Sequence, residues 1–377
     1  MKGTIFEYMM KYGYEEVRLC HDKSTGLRAV IAIHDTTLGP AGGGTRRWTF
    51  ASEWEAIEDA LRLARAMTYK YAAAGINCGG GKGVIMVDSM DEKSEELYRA
   101  YGRFVDSFNG RFFTGGDVGT GIRELRFIAM ETDYVVGLPE TWGEGRPEGY
   151  MPTSWGVIRG MKACCKEVYG DPSLEGRTVA VQGLGKVGAP LVRYLVEEGA
   201  KVIVTDLLKE KVKETVDQYG GKVTAVEPDK IYSVDHDIFS PCALGGIIND
   251  ETIPQLKCKI VAGGANNQLR EDRHGELLHK KGILYAPDYV INAGTAIDDI
   301  ETTRKGGYNY KRAREAVDQI YNRIKSIIEI SKRDNIPTYK AADKFAEERI
   351  KKVGGIKDLQ VRKVKPHLFK YGGSSDT

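Results

Sequence analysis

The 377-residue sequence lacks most of the features that mark secreted, membrane-spanning or metal-binding proteins. Its six cysteines are scattered without a CxxC pair, which argues against a zinc site and against a disulfide framework. Its six histidines form no HExxH motif. No apolar run reaches about 18 residues, and no signal-peptide core follows MKGTIFEYMM. We therefore expect a cytoplasmic protein with no bound metal and no membrane partner.

An excess of charge of either sign is also missing. The 55 lysines and arginines nearly balance the 53 acidic residues, giving a formal net charge of +2. No strong field is therefore directed at nucleic acid, and we expect no nucleic-acid partner. The length suits about two domains of roughly 150 residues each.

Short apolar segments alternate with amphipathic ones along the chain. β-Branched content predicts strands over residues 28–36, 84–88, 178–182, 201–206, 259–264 and 283–291. A period of 3.6 predicts helices over 53–70, from 92 onward and over 310–334, with one more after a break at 335–337. The Gly/Pro-rich stretch 143–153 suggests a domain boundary. We predict an α/β protein with an N-terminal domain over 1–140, completed by 336–377, and a doubly wound parallel sheet over 141–335.

The second domain contains a glycine motif directly after a predicted strand. VQGLGKVG places Gly183, Gly185 and Gly188 in GxGxxG spacing. The first glycine permits a tight turn, the second lets the backbone approach a pyrophosphate, and the third lets helix and strand pack closely. The segment 183–188, which also holds Leu184, Lys186 and Val187, would offer free N–H groups to phosphates at the start of a helix. This context indicates a Rossmann dinucleotide site, with a ligand-free βα turn as the alternative.

Asp206 ends the next predicted strand, 23 residues after Gly183 (206 − 183). Its carboxylate would accept hydrogen bonds from the ribose hydroxyls of the cofactor and would repel a 2′-phosphate. NAD is therefore favoured over NADP, although Lys209 and Lys211 lie close by.

Three charged residues lie among glycines in the first domain. Lys70 ends AMTYK, Lys82 follows three glycines in GGGKG, and Asp117 lies within TGGDVGT. Since glycine permits unusual backbone angles and close approach of a ligand, we expect glycine-rich turns around a charged substrate in a cleft. Solvated surface lysines and a turn aspartate are the alternative.

Eight motifs, in this order, resemble the leucine/phenylalanine/valine dehydrogenase family of oxidative deaminases. They are HDTTLGPAGGGTR (34–46), MTYK (67–70), GGGKGV (79–84), GGDVGT (115–120), QGLGKVG (182–188), PCALGG (241–246), ANNQL (265–269) and APDYVINAG (286–294). The resemblance runs from about residue 4 to about residue 352. It implies an NAD-dependent enzyme that interconverts an L-amino acid and its 2-oxo acid, releasing ammonium. It also implies a homo-oligomer, from a dimer to an octamer, assembled through the first domain.

The resemblance implies roles for individual residues. Lys82 would be the catalytic base, with a pKa lowered by burial and a nearby cation, and Asp117 would shuttle protons at the amino nitrogen. Lys70 would bind the substrate carboxylate. Four further residues would line the substrate site, namely Gly43, Gly44, Met67 and Asn267, and three would lie near the nicotinamide or the substrate, namely Thr153, Asn266 and Asn292. Larger residues before Lys82 would block its approach to the substrate, and closure of the cleft would bring the substrate against the nicotinamide.

Four positions depart from the pattern of leucine-specific members. Gly42 and Gly115 stand where those members resemble leucine and alanine, while Ala296 and Asp299 stand where branched aliphatic residues bound the side-chain pocket. We expect a pocket wider or more polar than leucine needs. For Asp299, helix capping stays open because Thr295-x-x-Asp298 resembles a capping box. Recognition of a basic or polar side chain, such as that of lysine, ornithine or arginine, is the other interpretation.

Other functions remain open on the sequence. A phenylalanine- or tryptophan-type dehydrogenase would suit the wide pocket. A dehydrogenase of amines would not need Lys70, and a 2-hydroxy acid dehydrogenase would need a histidine–carboxylate pair that no motif here supplies. Retention of Lys70, Lys82 and Asp117 together argues against a catalytically inactive NAD-binding homologue.

Overall fold

The computed structural model describes residues 4–91 and 94–358 and contains two β-sheets. The first sheet has the order β1-β2-β4-β3-β5. Its strands are β1 (Glu16–Asp22), β2 (Leu27–Asp35), β3 (Ala41–Trp48), β4 (Gly79–Met86) and β5 (Phe112–Gly116). Strands β3, β4 and β5 run parallel, whereas β1 and β2 pair antiparallel at one edge.

Helices cover both faces of the first sheet. They are α1 (Ile5–Tyr12), α2 (Glu53–Ala73), α3 (Glu95–Asp106), α4 (Ile122–Ala129) and the short α5 (Pro139–Trp142). Helix α2 begins where Ser52 accepts a hydrogen bond from the N–H of Glu55, and it buries Ile57, Leu61 and Ala64. This apolar stripe packs against β2 and β4, as the predicted period requires.

The second sheet is wholly parallel and has the order β11-β10-β9-β6-β7-β8. Its strands are β6 (Thr178–Gln182), β7 (Lys201–Thr205), β8 (Val223–Ala225), β9 (Ile238–Pro241), β10 (Ile260–Val261) and β11 (Leu284–Tyr285). The helices that accompany it are α6 (Pro152–Tyr169), α7 (Gly188–Glu197), α8 (Lys209–Tyr219), α9 (Asp272–Lys280), α10 (Asp288–Ile291), α11 (Gly294–Glu301), α12 (Tyr310–Asp318) and α13 (Ile320–Asp334). The prediction of a two-domain α/β fold with a doubly wound sheet is confirmed.

Two predicted elements are wrong in part. The apolar run 283–291 is a strand only at its first residues, because Pro287 ends it and α10 follows. The helix predicted over 310–334 is two helices that meet at Gln319. Helices α12 and α13 both bury apolar faces, so the helical period predicted for this segment is confirmed, whereas the prediction of one continuous helix is wrong.

The last described helix, α14 (Thr338–Gly354), connects the two halves of the molecule. It packs against α13 of the second half and against α2 of the first. Arg349 on α14 donates hydrogen bonds to the carbonyls of Ala72 at 3.2 Å and Ile76 at 2.7 Å, at the end of α2. The predicted contribution of 336–377 to the first domain lies partly outside the described residues, and the domain limits at 140 and 335 stay predictions.

Two features bear on the class of protein. All six cysteines are free thiols. Within the described ranges, no helix is long and apolar enough to cross a membrane, and no group of three or more potential ligand side chains could hold a metal ion.

Candidate active site

A cleft of about 720 Å³ lies between the two sheets. Residues of α2, β3, β4 and β5 line one wall. The other wall is lined by residues of α6, α9, α10 and α11, together with Val187, Gly264, Asn266 and Asn267. The cleft-lining residues that the sequence predicted are Gly43, Gly44, Met67, Lys70, Lys82, Gly115, Asp117, Thr153, Val187, Asn266, Asn267, Asn292, Ala296 and Asp299. The structure therefore brings the predicted residues of the first domain together with Thr153, Val187, Asn266 and Asn292 of the second. The other predicted cofactor residues, namely Gly183, Leu184, Gly185, Lys186, Gly188 and Asp206, are not among the residues that line the cleft.

Lys82 lies within β4, in the middle of the sheet, and not in the predicted glycine-rich turn. It pairs with Ala32 of β2 in register, and its residue exposure is only 5%. Side chains alternate along a strand, so Lys82 shares the α2 face of the sheet with Gly80. A strand position fixes the direction of this lysine more firmly than a turn would.

The glycines before Lys82 serve the packing of the protein. A Cβ at Gly79 would clash with the backbone of Asp35, one at Gly80 with Thr68 on α2, and one at Gly81 with the ring of Phe112. The prediction that they keep the path of a ligand open is therefore wrong. They let α2 and the neighbouring strands approach closely enough to bury Lys82.

Lys82 and Asp117 form an ion pair inside the cleft. The Lys82 ammonium donates to Oδ2 of Asp117 at 2.5 Å. Arg46 of β3 contacts the same oxygen at 3.3 Å and donates to Asp59 on α2 at 2.8 Å. Asp117 follows directly after β5, so adjacent strands of one sheet supply the pair and the arginine.

Burial and charge act together on this pair. Desolvation lowers the pKa of Lys82, assisted by the charge of Arg46, and outweighs the attraction of Asp117. Burial raises the pKa of Asp117, but the charges of Lys82 and Arg46 lower it by more. Lys82 therefore gives up its proton more readily than an exposed lysine, and the neighbouring carboxylate of Asp117 stays ionised more readily than usual. Such a pair suits proton transfer.

Lys70 extends from the last turn of α2 across the cleft. Its ammonium donates to Oδ1 of Asn292 at 2.7 Å, and the amide of Asn292 donates to Asn266 at 2.7 Å. Burial lowers the pKa of Lys70 to about 8, although the charge of Asp288 opposes this shift. Asn267 lines the cleft, and its contact with a substrate carboxylate stays a prediction.

Thr153 stands at the start of α6 and ties two elements of the second half together. Its hydroxyl lies 2.8 Å from that of Thr295 and 3.4 Å from the carbonyl oxygen of Asn292. This contact holds the start of α11 beside Asn292. Asn292, which contacts Lys70, and α11, which carries Asp299, therefore lie on the same wall of the cleft.

The prediction that Gly42 widens the side-chain pocket is wrong. Gly42 pairs with Phe113 in the sheet, and a Cβ at position 42 would clash with the ring of Phe113. The ring fills the space that a larger residue would use, and Gly42 does not line the cleft. Gly115 and Ala296 do line it, together with Val136.

The capping interpretation of Asp299 is wrong as well. Helix α11 begins after Ala293 and has no side-chain cap, so Thr295 lies inside the helix and Asp299 in its second turn. Thr295, Ala296, Asp299 and Ile300 share the face that lines the cleft. The acid therefore lies on the wall of the cleft.

The glycine motif forms the predicted turn between β6 and α7. Gly183 has φ +97°, and a Cβ at Gly188 would clash with the carbonyl of Gly183. Gly185 has no atom within 4 Å of its would-be Cβ, so its outer side is free for a ligand. Asp206 follows β7 and accepts hydrogen bonds from the N–H groups of Leu184 at 2.6 Å and Leu208 at 2.9 Å. The carboxylate is thereby held against the turn, where a nucleotide's ribose would need it.

Sequence reasoning missed several residues of the cleft. Arg46 ends the quoted AGGGTR and bridges Asp59 and Asp117. Asp288 lies in the quoted APDYVINAG and acts on the charge of Lys70. A charged residue inside an otherwise glycine-rich or apolar motif was the available signal in both cases. Tyr71, next to Lys70, lines the cleft and gave no such signal.

Comparisons with known proteins agree with this geometry. Residues 14–134 match the model described as Glu/Leu/Phe/Val dehydrogenase, dimerisation domain. Residues 145–207 and 203–298 match the model described as Glutamate/Leucine/Phenylalanine/Valine dehydrogenase. The chain belongs to this family of amino-acid dehydrogenases. It is an oxidoreductase that deaminates amino acids oxidatively, and the resemblance drawn from the eight motifs is confirmed.

Individual relatives cover almost the whole chain. A leucine dehydrogenase of Geobacillus stearothermophilus is 57% identical over 92% of this dehydrogenase and 93% of its own length. A phenylalanine dehydrogenase of Thermoactinomyces intermedius is 44% identical over 94% of this chain and 96% of its own. The structure is also similar to that of L-tryptophan dehydrogenase from Nostoc punctiforme, with a TM-score of 0.82, 46% identity, and coverage of 93% and 99%.

Proposed function

We propose that this dehydrogenase uses NAD to convert an L-amino acid into its 2-oxo acid and ammonium, in the cleft that holds Lys82 and Asp117. The buried ion pair between these two residues, facing the wall formed by the second sheet, carries the proposal. Amino-acid deamination needs a base, a proton relay and an anchor for the carboxylate, and Lys82, Asp117 and Lys70 suit these roles.

Lys70 would bind the substrate carboxylate. Its ammonium lies in the cleft beside Asn292, and a charge-assisted hydrogen bond to a carboxylate is stronger than one to a neutral amide. Binding a carboxylate would also stabilise the charged form of a lysine whose pKa burial lowers to about 8. Gly43 and Gly44 present backbone without side chains at the same wall.

Lys82 would act as the base. In its neutral form it can take a proton from the amino acid or from the water that attacks the imine, and its low exposure excludes other water. Asp117, in hydrogen-bond contact with Lys82, would pass protons to and from the substrate nitrogen. Arg46 would keep Asp117 ionised and oriented.

The turn 183–188 and Asp206 fit NAD. The open side of Gly185 and the N-terminus of α7 suit a pyrophosphate, and the carboxylate of Asp206 suits ribose hydroxyls. NAD would supply the hydride acceptor. Thr153, Asn266 and Asn292 would bound the space between this turn and Lys82.

The proposal extends to assembly and location. The edge strand β1 exposes Leu19, and α1 exposes Phe6 and Met10, which offers an apolar face for self-association into a dimer or larger oligomer. Six free thiols favour the reducing cytoplasm.

A direct assay tests the function. The purified chain is incubated with NAD and each common L-amino acid, and NADH absorbance is followed, with a Lys82→Met variant as the blank. We expect turnover with at least one amino acid and ammonium release in equal amount. If none of the amino acids in this panel supported reduction of NAD, the proposal would be contradicted.

A further inference from the structure

We propose that Asp299 makes this enzyme select an amino acid whose side chain ends in an N–H donor, a class that includes lysine, ornithine, arginine and tryptophan. The inference rests on the proposed function, because it assigns the substrate of the same cleft. It starts from the different surroundings of three acidic residues on one short helix, α11.

Two of the three acids have partners within the protein. Asp298 accepts a hydrogen bond from the hydroxyl of Tyr308 at 2.8 Å and lies 3.5 Å from Arg146. Glu301 forms ion pairs with Arg304 and Arg312. Both residues are buried, and their partners account for their presence there.

Asp299 has no such partner. Oδ1 is shut off from solvent without a hydrogen bond, and across residues 4–91 and 94–358 no lysine or arginine lies within ion-pair distance of the carboxyl group. The residue is part-buried, so the rest of its side chain lines the cleft. A carboxyl group with an inner oxygen that lacks a donor is costly, and native proteins rarely keep one without a reason. A donor on the ligand would meet the carboxyl group from the cleft side and offset this cost.

The position of Asp299 directs this acceptor at the substrate. It shares the cleft-lining face of α11 with Ala296 and Ile300, and Gly115, Val136 and Tyr71 lie on the facing wall. A Cβ added at Gly137 would lie 3.3 Å from Oδ2 of Asp299. Ala296, Ile300 and Val136 therefore give the carboxyl group largely apolar neighbours, an arrangement in which a correctly placed N–H gains both specificity and affinity.

The same carboxyl group discriminates against leucine. An aliphatic side chain would desolvate Asp299 without offering a hydrogen bond. Sites built around a substrate donor reject analogues that lack it by factors on the order of 10⁴, far more than a missing methylene can achieve. The charge of Asp298 and the burial of the group both disfavour an unpaired anion here, and the distant charge of Arg146 only partly offsets them.

The test compares substrates in four proteins: the native enzyme, Asp299→Leu, Asp299→Asn and Asp298→Asn. For each, kcat/KM is measured with lysine, ornithine, arginine and tryptophan, and with leucine, methionine and phenylalanine. In the native enzyme we expect a member of the first group to be best. Asp299→Leu should lower the ratio of kcat/KM for that substrate to kcat/KM for leucine by about 100-fold or more. Asp298→Asn, which changes a residue that does not line the cleft, should leave this ratio within a few-fold of its native value.

Asp299→Asn separates the two kinds of donor. The amide keeps an acceptor oxygen but no charge, so it should reduce turnover of a cationic side chain much more than that of an indole. If leucine, methionine or phenylalanine is the best substrate of the native enzyme, the inference is wrong while the proposed function stands. The same holds if Asp299→Leu changes kcat/KM for all substrates by one common factor. If no amino acid reduces NAD, the proposed function itself has failed.

Discussion

The ammonium of Lys82 lies 2.5 Å from the carboxylate of Asp117, although the two residues are 35 positions apart in the chain. One belongs to the central strand β4 and the other follows the edge strand β5. The sheet, and not a local loop, therefore sets the separation of Lys82 and Asp117, the proposed base and the proposed proton relay. This rigidity makes the consequences of single substitutions specific enough to predict.

Lys82→Met should nearly abolish turnover while the protein stays folded. Methionine keeps the length of the side chain but removes the base, and general acid–base groups typically contribute about 10²- to 10⁴-fold in rate. Steady-state kinetics with NAD measures the loss in kcat, and circular dichroism checks the fold. Lys201→Met is the matched control, because Lys201 is exposed on β7. A kcat close to that of the native enzyme would remove Lys82 from the chemistry.

Arg46→Met should move the acidic limb of the pH–rate profile to higher pH. A protonated Lys82 cannot act as a base, so kcat/KM falls as pH drops below its pKa. Since the charge of Arg46 helps to lower that pKa, its removal raises it. Measurement of kcat/KM against pH gives the shift, which we expect to be about one unit or less. Arg62→Met is the control, because Arg62 is more exposed and forms its ion pair with Asp59. An equal shift there would contradict the argument.

Asp299→Leu should stabilise the protein above about pH 7. Burial and the charge of Asp298 raise the pKa of Asp299 to about 7 from 3.8, so the native state binds more protons than the unfolded state between these values. The free-energy cost of holding Asp299 ionised in the folded protein is absent below pH 3.8. This cost grows as the pH rises to about 7 and is constant at higher pH. Urea unfolding should show a gain of about 2–4 kcal/mol at pH 8 that shrinks toward pH 4.

Asp298→Leu gives the opposite sign and serves as the comparison. It removes the acceptor of Tyr308 and the partner of Arg146, and should cost about 1–3 kcal/mol. If Asp298→Leu and Asp299→Leu destabilised the protein to the same extent, Asp299 would have to possess a hydrogen-bond partner in the folded protein.

Gly185→Ala should weaken NAD binding without loss of stability. The added methyl group meets no protein atom within 4 Å, but it would occupy the side on which we place the pyrophosphate. Gly188→Ala should instead destabilise the fold, because its Cβ would clash with the carbonyl of Gly183. Thermal melting and the KM for NAD are measured on both variants. Gly185→Ala should raise the KM and keep the melting temperature, whereas Gly188→Ala should lower the melting temperature. An unaltered KM in Gly185→Ala would argue against a dinucleotide at this turn.

The sequence predicted the second sheet better than the first. Alternation of apolar strands with helices, followed by Gly183, Gly185 and Gly188, is a local signal, and the parallel sheet is confirmed. In the first domain, GGGKG suggested a turn because three glycines in a row rarely form a strand. Only the position of Thr68 on α2 and the ring of Phe112 explain why glycine is required there. Such contacts depend on residues distant in sequence, which a pattern does not contain.

The same limitation applies to the side-chain pocket. Gly42 suggested extra space, but Phe113 fills it from the neighbouring strand. Thr295 and Asp298 had the spacing of a capping box, but α11 begins before both of them. The identity of Asp299 as a departure from the family pattern was visible in the sequence. Its lack of a partner required the structure.

Strands β3 and β4 carry seven glycines whose Cβ atoms would collide with neighbouring atoms, namely Gly42, Gly43, Gly44, Gly79, Gly80, Gly81 and Gly83. In a saturation mutagenesis experiment, these positions would tolerate almost no replacement, whichever amino acid the enzyme acts on. Loss of function on replacement of these glycines would reflect close packing of the backbone and would not identify residues that take part in the reaction. Engineering of substrate preference is therefore better directed at the wall formed by α11, where Ala296, Asp299 and Ile300 face open space and can change without disturbing the sheet.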